Sequence, residues 1–407
     1  MNNILSYALG AAILAALVTN LVVPTITRLA LTLRAVDLPG ERRHQSSAVP
    51  RLGGVAIAAG LAVAAGAATI ARWGEWGGHI PKAELAALAL GTIMVFLVGV
   101  VDDLVGVSPL KKLVFELIAA ALLVRVGWSF EVLRLPGLGE IHLGVWGWLV
   151  SILWIAGVTN AINLIDGLDG LAGGVVAIIS TSLLVYAGLQ GNPGSVVLMA
   201  ATAGACLGFL RHNWEPARIF MGDSGSLTLG FLLGAVSIHS SIKAPAAVAI
   251  LVPILALGVP VIDTLLVMAV RFLGRQQDPV TSRFLRMFHA DRNHLHHLLS
   301  HFGSRRSRIV GVIYVVVLGS CSMALLVATT GRSTLGIALI LVEFGVILAM
   351  RQTGLAMEAR RLSRKQRDDI KTEVLGPLEE PLPEPIVLQP VAAAGQRPAR
   401  LRVVARR

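Results

Sequence analysis

The chain has 407 residues, 55% of them hydrophobic and only 14% charged, with a formal net charge of +11. A soluble domain carries about 25% charged residues, so this composition cannot cover a water-facing surface. An ordinary globular enzyme, a disordered protein and a nucleic-acid-binding module are excluded, the last because the basic residues are not interleaved with a reading element. What remains is an all-α polytopic membrane protein.

A bilayer core needs about 20 mostly apolar residues per helix. In chain order this predicts eleven spans, at 4–27, 53–71, 84–101, 113–127, 145–162, 171–189, 195–211, 225–239, 246–270, 309–329 and 333–350. The first is too long for a signal peptide, has no basic residue ahead of it and is followed by Arg28 and Arg34, so it reads as a retained helix. Cys206 and Cys321 lie in separate apolar stretches and read as packing residues, not as a disulfide or a thiolate metal site.

Eleven spans put the termini on opposite sides. Of the 35 Lys and Arg, 28 fall in the loops after odd-numbered spans and in the tail, and six in the other loops. By the positive-inside rule the N-terminus is outside and the C-terminus cytoplasmic. Without the long loop before span ten and the tail, the excess narrows to eight against six but keeps its sign. The expected organisation is a membrane domain over 1–350 and a cytoplasmic tail over 351–407. Residues 355–375 read as a charged helix, and the Pro-rich stretch from Gly376 as a partly disordered segment touching the membrane surface.

Aspartate is the informative residue type, because one at mid-bilayer costs about 2.5–3.5 kcal/mol. The loops on the outer side hold none. Those on the inner side hold Asp37, Asp102, Asp103, Asp166, Asp169, Asp223, Asp278 and Asp291, while Asp263 falls within the ninth span. Helix capping accounts for one or two of these, Asp223 and Asp169 being the best placed. It does not account for the adjacent pair in "VDDLVGVSPLKKL" or for the repeated Asp-Gly of "NLIDGLDGL". Clustered carboxylates repel one another unless a cation sits among them, and hard oxygen ligands suit Mg²⁺, with Mn²⁺ as substitute. Arg42, Arg43, Lys111, Lys112, Arg211, Arg218 and the run from Arg271 to Arg308 surround them. A metal, basic side chains and Gly-rich turns together point to phosphoryl transfer, which depends on positioning and charge neutralisation.

The stretch "FHADRNHLHHLLSHFG" adds five histidines on the same side. On a helix His294 and His297 fall three apart, and His297 and His301 four apart. Zinc would need a companion ligand at familiar spacing; imidazoles that hydrogen-bond phosphate or sugar are the better reading.

Six segments in this order resemble the polyprenyl-phosphate N-acetylhexosamine-1-phosphate transferases, of glycosyltransferase family 4 type. They are "DLPGERRHQSSAVPRLGG", "VDDLVGVSPLKKL", "TNAINLIDGLDGL", "RHNWEPARIFMGDSGSLTLG", "PVIDT" and "DRNHLHH". The resemblance is closest to the bacterial branch that loads GlcNAc-1-phosphate onto undecaprenyl or decaprenyl phosphate. It implies that Asp102 and Asp103 are the paired catalytic aspartates, and that Asp223 coordinates Mg²⁺ with Asp102 and Asp103 as further metal ligands. It implies that Lys112 meets lipid phosphate, and that Asn163, Asp166, Gly167, Leu168 and Asp169 line the uridine pocket, with Asn213 and Phe220 on its uracil side. It places His294, His296 and His297 in a catalytic histidine loop, with Arg292 binding substrate beside them. The form "DRNHLHHLL" differs from the three consecutive histidines of the muramoyl-pentapeptide branch and supports UDP-GlcNAc as donor.

The reaction implied is transfer of GlcNAc-1-phosphate from UDP-GlcNAc to a polyprenyl phosphate in the inner leaflet, releasing UMP, at the cytoplasmic face of the plasma membrane. Membrane lipid is the expected surrounding partner, nucleic acid is not a partner, and a homodimer is allowed. Two readings compete: the same chemistry with another UDP-N-acetylhexosamine or UDP-MurNAc-pentapeptide, and an ion-coupled transporter. The transporter requires ionisable residues deep in several spans, for which only Asp263 and Glu343 qualify.

Overall fold

The structure is a computed structural model. It describes residues 2–37, 48–76, 81–135, 139–273, 294–300 and 306–375, together with Pro279 and Arg283. Arg42, Arg43, Asp278, Asp291, Arg292 and His301, singled out above, lie outside the described residues, as does the stretch from Gly376 onward. The chain divides into two compact units, Met1–Glu358 and Ala359–Arg407, and every described candidate residue belongs to the first.

The first unit is a helical bundle. In chain order it contains α1 (Asn2–Thr32), β1 (Val36–Asp37), β2 (Val49–Pro50), α2 (Gly53–Trp76), α3 (Lys82–Val105) and α4 (Pro109–Arg125). After these come β3 (Val132–Leu135), β4 (Gly139–His142), α5 (Val145–Ile165), α6 (Leu171–Leu189), α7 (Pro193–Asn213) and α8 (Gly222–Ser241). The last elements are α9 (Leu251–Ala256), α10 (Gly258–Leu273), α11 (Leu295–Ser300), α12 (Arg306–Thr330) and α13 (Ser333–Leu375), of which the part up to Glu358 belongs to this unit. The strands form two small antiparallel pairs, β1 with β2 and β3 with β4.

Among the described residues eight helices are long and apolar enough to cross a membrane: α1, α2, α3, α5, α6, α7, α12 and α13. The other three expected spans coincide with helices of a different kind. α4 has only 17 residues, and α8 is rich in Gly and Ser. The expected span 246–270 is not one helix: it breaks at Leu257 between α9 and α10. Gly258 weakens the helix there, and Pro253 and Pro260 lack the N–H a continuous ladder requires.

Lipid tails are as apolar as Leu, so helices in a bilayer associate through close packing at small residues. Gly204 and Gly208 of α7 lie against the backbone of α1 at Ala12 and Ala16, and Gly230 of α8 lies against Thr159 of α5. On its opposite side α1 exposes Leu5, Leu9, Ile13, Leu17 and Leu21. That spacing of four makes one apolar stripe, suited to lipid.

Two backbone approaches bring the aspartate-bearing segments together. Gly99 of α3 abuts the backbone of Asp223 and Ser224, and Gly54 of α2 touches Gly225. The chain entering α2 is zipped to the chain entering α8: Phe220 N–H donates to Pro50 O (2.8 Å), Gly53 N–H to Phe220 O (2.9 Å) and Gly54 N–H to Met221 O (2.7 Å).

Candidate active site

Asp102 and Asp103 occupy the last turn of α3. Gly106, at φ +76°, ends that helix, and Val107 N–H donates to Asp102 Oδ1 at 2.8 Å. Asp103 points the other way and is buried. Its Oδ1 accepts from Asp223 N–H (2.8 Å) and its Oδ2 from Ser224 N–H (3.0 Å). Asp103 thus caps α8, a helix 120 residues further along. The local capping expected of Asp223 and Asp169 is not what they do: neither α6 nor α8 has a side-chain cap bond at its own N-cap residue. Gly222 stands at φ +70° with the Asp103 carboxylate where a Cβ would project, which restricts the position to glycine.

The carboxylates of Asp102, Asp103 and Asp223 offer oxygens that all lie within 4.8 Å of one another. Lys112, in the first turn of α4, places Nζ 2.6 Å from Asp223 Oδ2 and 3.3 Å from Asp102 Oδ1. The pattern is that of a cation site: convergent hard oxygens around one positive charge. The three carboxylates therefore fit a divalent metal.

The loop Asp166–Gly170 joins α5 to α6. Gly170, at φ +79°, donates its N–H to Asn213 Oδ1 (3.0 Å), and Asn213 Nδ2 donates to Ile219 O (2.8 Å). Tyr314 of α12 donates its hydroxyl to Gly170 O at 2.6 Å, and Asp169 Oδ2 accepts from Ala217 N–H at 2.9 Å. Asn213 therefore ties this loop to the segment leading into α8. Leu168 packs partly buried against the core. Burial pushes the Asp166 carboxyl up to about 8, reinforced by the charges of Asp223, Asp103 and Asp169. Asn163 Nδ2 donates to Ser226 Oγ at 3.2 Å, and Phe220 holds its place through the backbone bonds given above.

The histidines reach the same loop. The His296 ring covers Gly167, leaving no room for a side chain there. It lies 4.1 Å from the His297 ring and near-parallel to His294 at 6.2 Å, centroid to centroid. Burial holds the His296 imidazole well below its ordinary pKa, the neighbouring His297 and His294 adding to the effect. His294 is fastened elsewhere, by Asp263.

Two acids to which the sequence reading assigned no role in phosphoryl transfer belong to this neighbourhood. Glu116 is buried one turn beyond Lys112, bonded by Asn160 Nδ2. A lone acid inside "LVFELIAA" was its available signal. Asp263 stood within the quoted "PVIDT" and as an acid in an apolar stretch, but its partner was not visible in the sequence. The bundle's large cavity, about 650 Å³ among α2, α3, α7 and α8, is walled by Ala59, Leu88, Phe96 and Leu232. The walls are mostly apolar, with Lys82 and His239 also among the lining residues, and Asp102, Asp103 and Asp223 do not border this cavity.

Residues 85–241 match the family model "Glycosyl transferase family 4". The chain is 34% identical over 350 residues to a Bacillus subtilis protein named probable undecaprenyl-phosphate N-acetylglucosaminyl 1-phosphate transferase, covering 85% of this chain and 92% of that one. It is 31% identical over 370 residues to the decaprenyl-phosphate N-acetylglucosaminephosphotransferase of Mycolicibacterium smegmatis, covering 84% and 88%. A phospho-N-acetylmuramoyl-pentapeptide-transferase of a Synechococcus strain is 36% identical over 244 residues, covering 57% and 66%. With likeness of this extent running through the segments that build the aspartate cluster, the chain belongs to the polyprenyl-phosphate N-acetylhexosamine-1-phosphate transferases, of glycosyl transferase family 4.

Proposed function

We propose that the protein transfers GlcNAc-1-phosphate from UDP-GlcNAc to undecaprenyl or decaprenyl phosphate, as the first membrane step of a cell-envelope polysaccharide. The observation that carries this is the convergence of Asp102, Asp103 and Asp223 around the Lys112 ammonium. The names of the two N-acetylglucosaminyl relatives and the "DRNHLHH" form support GlcNAc as the sugar. The charge asymmetry of the loops supports an active site on the cytoplasmic face of the plasma membrane.

Asp223, Asp102 and Asp103 would hold Mg²⁺, which neutralises diphosphate charge when bound. The acceptor monophosphate has a second pKa near 6 and is mostly dianionic at pH 7, so it needs little help from a base. Lys112 and the histidine segment draw it toward a donor of like charge. Its oxygen forms a bond to the sugar-bearing phosphorus, the P–O bond to the other phosphate breaks, and UMP leaves with that electron pair. The Asp166–Gly170 loop and Asn163 contact the nucleotide; Asn213 and Phe220 act through the loop and strand they hold.

Exchange of labelled UMP into UDP-GlcNAc by purified protein, dependent on both Mg²⁺ and polyprenyl phosphate, tests this reading. Exchange without lipid phosphate, or none at all, counts against it. The relative named for muramoyl-pentapeptide transfer keeps UDP-MurNAc-pentapeptide as the second donor to try, with thin-layer analysis of the lipid product separating the two.

A further inference from the structure

Asp263 lies in α10, just beyond the break at Leu257, and is 2% exposed. Its Oδ2 is 3.0 Å from His294 Nδ1, its Oδ1 accepts Leu295 N–H at 3.0 Å, and Arg351 Nη1 of α13 stands 3.8 Å from Oδ1. One carboxylate thus holds both the ring and the backbone at the start of α11. An ionised carboxylate only accepts hydrogen bonds, so Nδ1 carries the ring proton and Nε2 is the remaining functional atom.

His294 Nε2 is buried and has no hydrogen-bond partner among the described residues, and the same holds for His296 Nε2. A buried polar atom left unmatched is expensive and calls for an explanation. The place is continuous with the proposed site. His296 rests on Gly167, and Asp263 and His296 border one void of about 20 Å³ that also touches Ile165, the residue before the Asp166–Gly170 loop. Among the described residues, the charged or titratable groups at this corner are Asp263 from α10, which meets His294 and stands beside Arg351 of α13, and His296 within α11.

We propose that Asp263 is a positioning residue: it locks His294 with Nδ1 protonated, so that Nε2 meets a phosphate oxygen of the substrates. This rests on the transferase reading above. Its logic is that of the carboxylate that orients a metal-bound imidazole from behind, where the partner's loss typically costs about 10- to 100-fold.

The test is a double-mutant cycle on the full chain in detergent, with UDP-GlcNAc and undecaprenyl phosphate. Asp263→Asn keeps size and shape, but its amide can offer Nδ1 a donor and reverse the tautomer. Asp263→Asn and His294→Ala are each expected to lower kcat/KM about 10- to 100-fold, and the double variant to be no worse than His294→Ala alone. A KM rise confined to UDP-GlcNAc assigns the oxygen to the donor, and one confined to undecaprenyl phosphate assigns it to the acceptor. A loss in kcat alone assigns it to the transferring phosphoryl group. Multiplying losses in the double variant, or wild-type rates in Asp263→Asn, overturn the proposal.

Should Asp263→Asn not fold, Asp263→Glu carries the same cycle. Failure of both to fold makes Asp263 a structural anchor and overturns the proposal. The thermal shift given by UDP-GlcNAc is read in parallel. If the wild type shows no turnover, the function proposed above falls, while the cycle on ligand-induced melting still decides the role of Asp263.

Discussion

Lys112 Nζ lies 2.6 Å from Asp223 Oδ2, a pairing across 111 residues of chain. The same ammonium reaches Asp102, so it stands as an internal counter-ion where three carboxylates converge. Like charges 4 Å apart repel by about 4 kcal/mol at an effective dielectric of 20. Lys112→Gln is therefore expected to lower the melting temperature of the metal-free protein and to enlarge the rise on adding Mg²⁺ or Mn²⁺. Product formation is expected to fall at least about tenfold, because the lipid phosphate loses the cation proposed to meet it. Unchanged melting without metal would show that the cluster is not under charge strain.

Asp223 and Asp103 separate function from framework. Asp223→Asn removes a charged ligand while the backbone bonds into α8 remain, so turnover should drop by about 10²–10³ or more with melting little changed. Asp103→Asn has only one acceptor for two N–H groups, and is expected to cost about 1 kcal/mol as a lost cap in addition to activity. Thermal melts beside UMP exchange distinguish the two. Near-normal turnover in Asp223→Asn would remove the metal argument.

Gly167→Ala drives a Cβ into the His296 ring. Overpacking of this kind costs about 1–3 kcal/mol, and here the strain falls on a contact between two segments proposed to face the substrates. Activity should fall more than the melting temperature suggests, and His296→Ala in the same chain should restore the melt without restoring turnover.

Asp166 predicts a pH dependence. Its carboxyl is raised from 3.8 in the unfolded chain to about 8 by burial and by neighbouring carboxylates. Between those values the folded protein binds the extra proton. The group's stabilising contribution is thus fully present below about pH 4 and is lost as pH rises through about 8. In EDTA the melting temperature should fall from about pH 5.5 to about pH 8.5, and the rise on adding Mg²⁺ should be larger at the higher pH. A metal effect independent of pH would contradict this.

Asn213→Ala leaves Gly170 N–H and Ile219 O without their partner. Two buried backbone groups orphaned together cost about 2 kcal/mol or more. The variant should melt earlier, with the KM for UDP-GlcNAc changing less than it does in Asp166→Asn.

The membrane class and the helix positions were legible from residue order alone, because hydropathy is a sum over about 20 contiguous residues. The acidic motifs were legible for a similar reason, since a charge in an apolar chain stands out locally. One of the three departures among the expected spans is instructive: the apolar run through Leu257 reads as continuous on a hydropathy sum, yet Gly258 and the two prolines break it. Tertiary structure alone decided what each acid does. It made Asp103 the cap of a helix 120 residues away, set Lys112 against Asp223, and closed Asp263 onto His294 across 31 residues. Such pairings depend on which helix faces meet, and that follows from packing at notches such as Gly99 and Gly54, which no local window of residues contains.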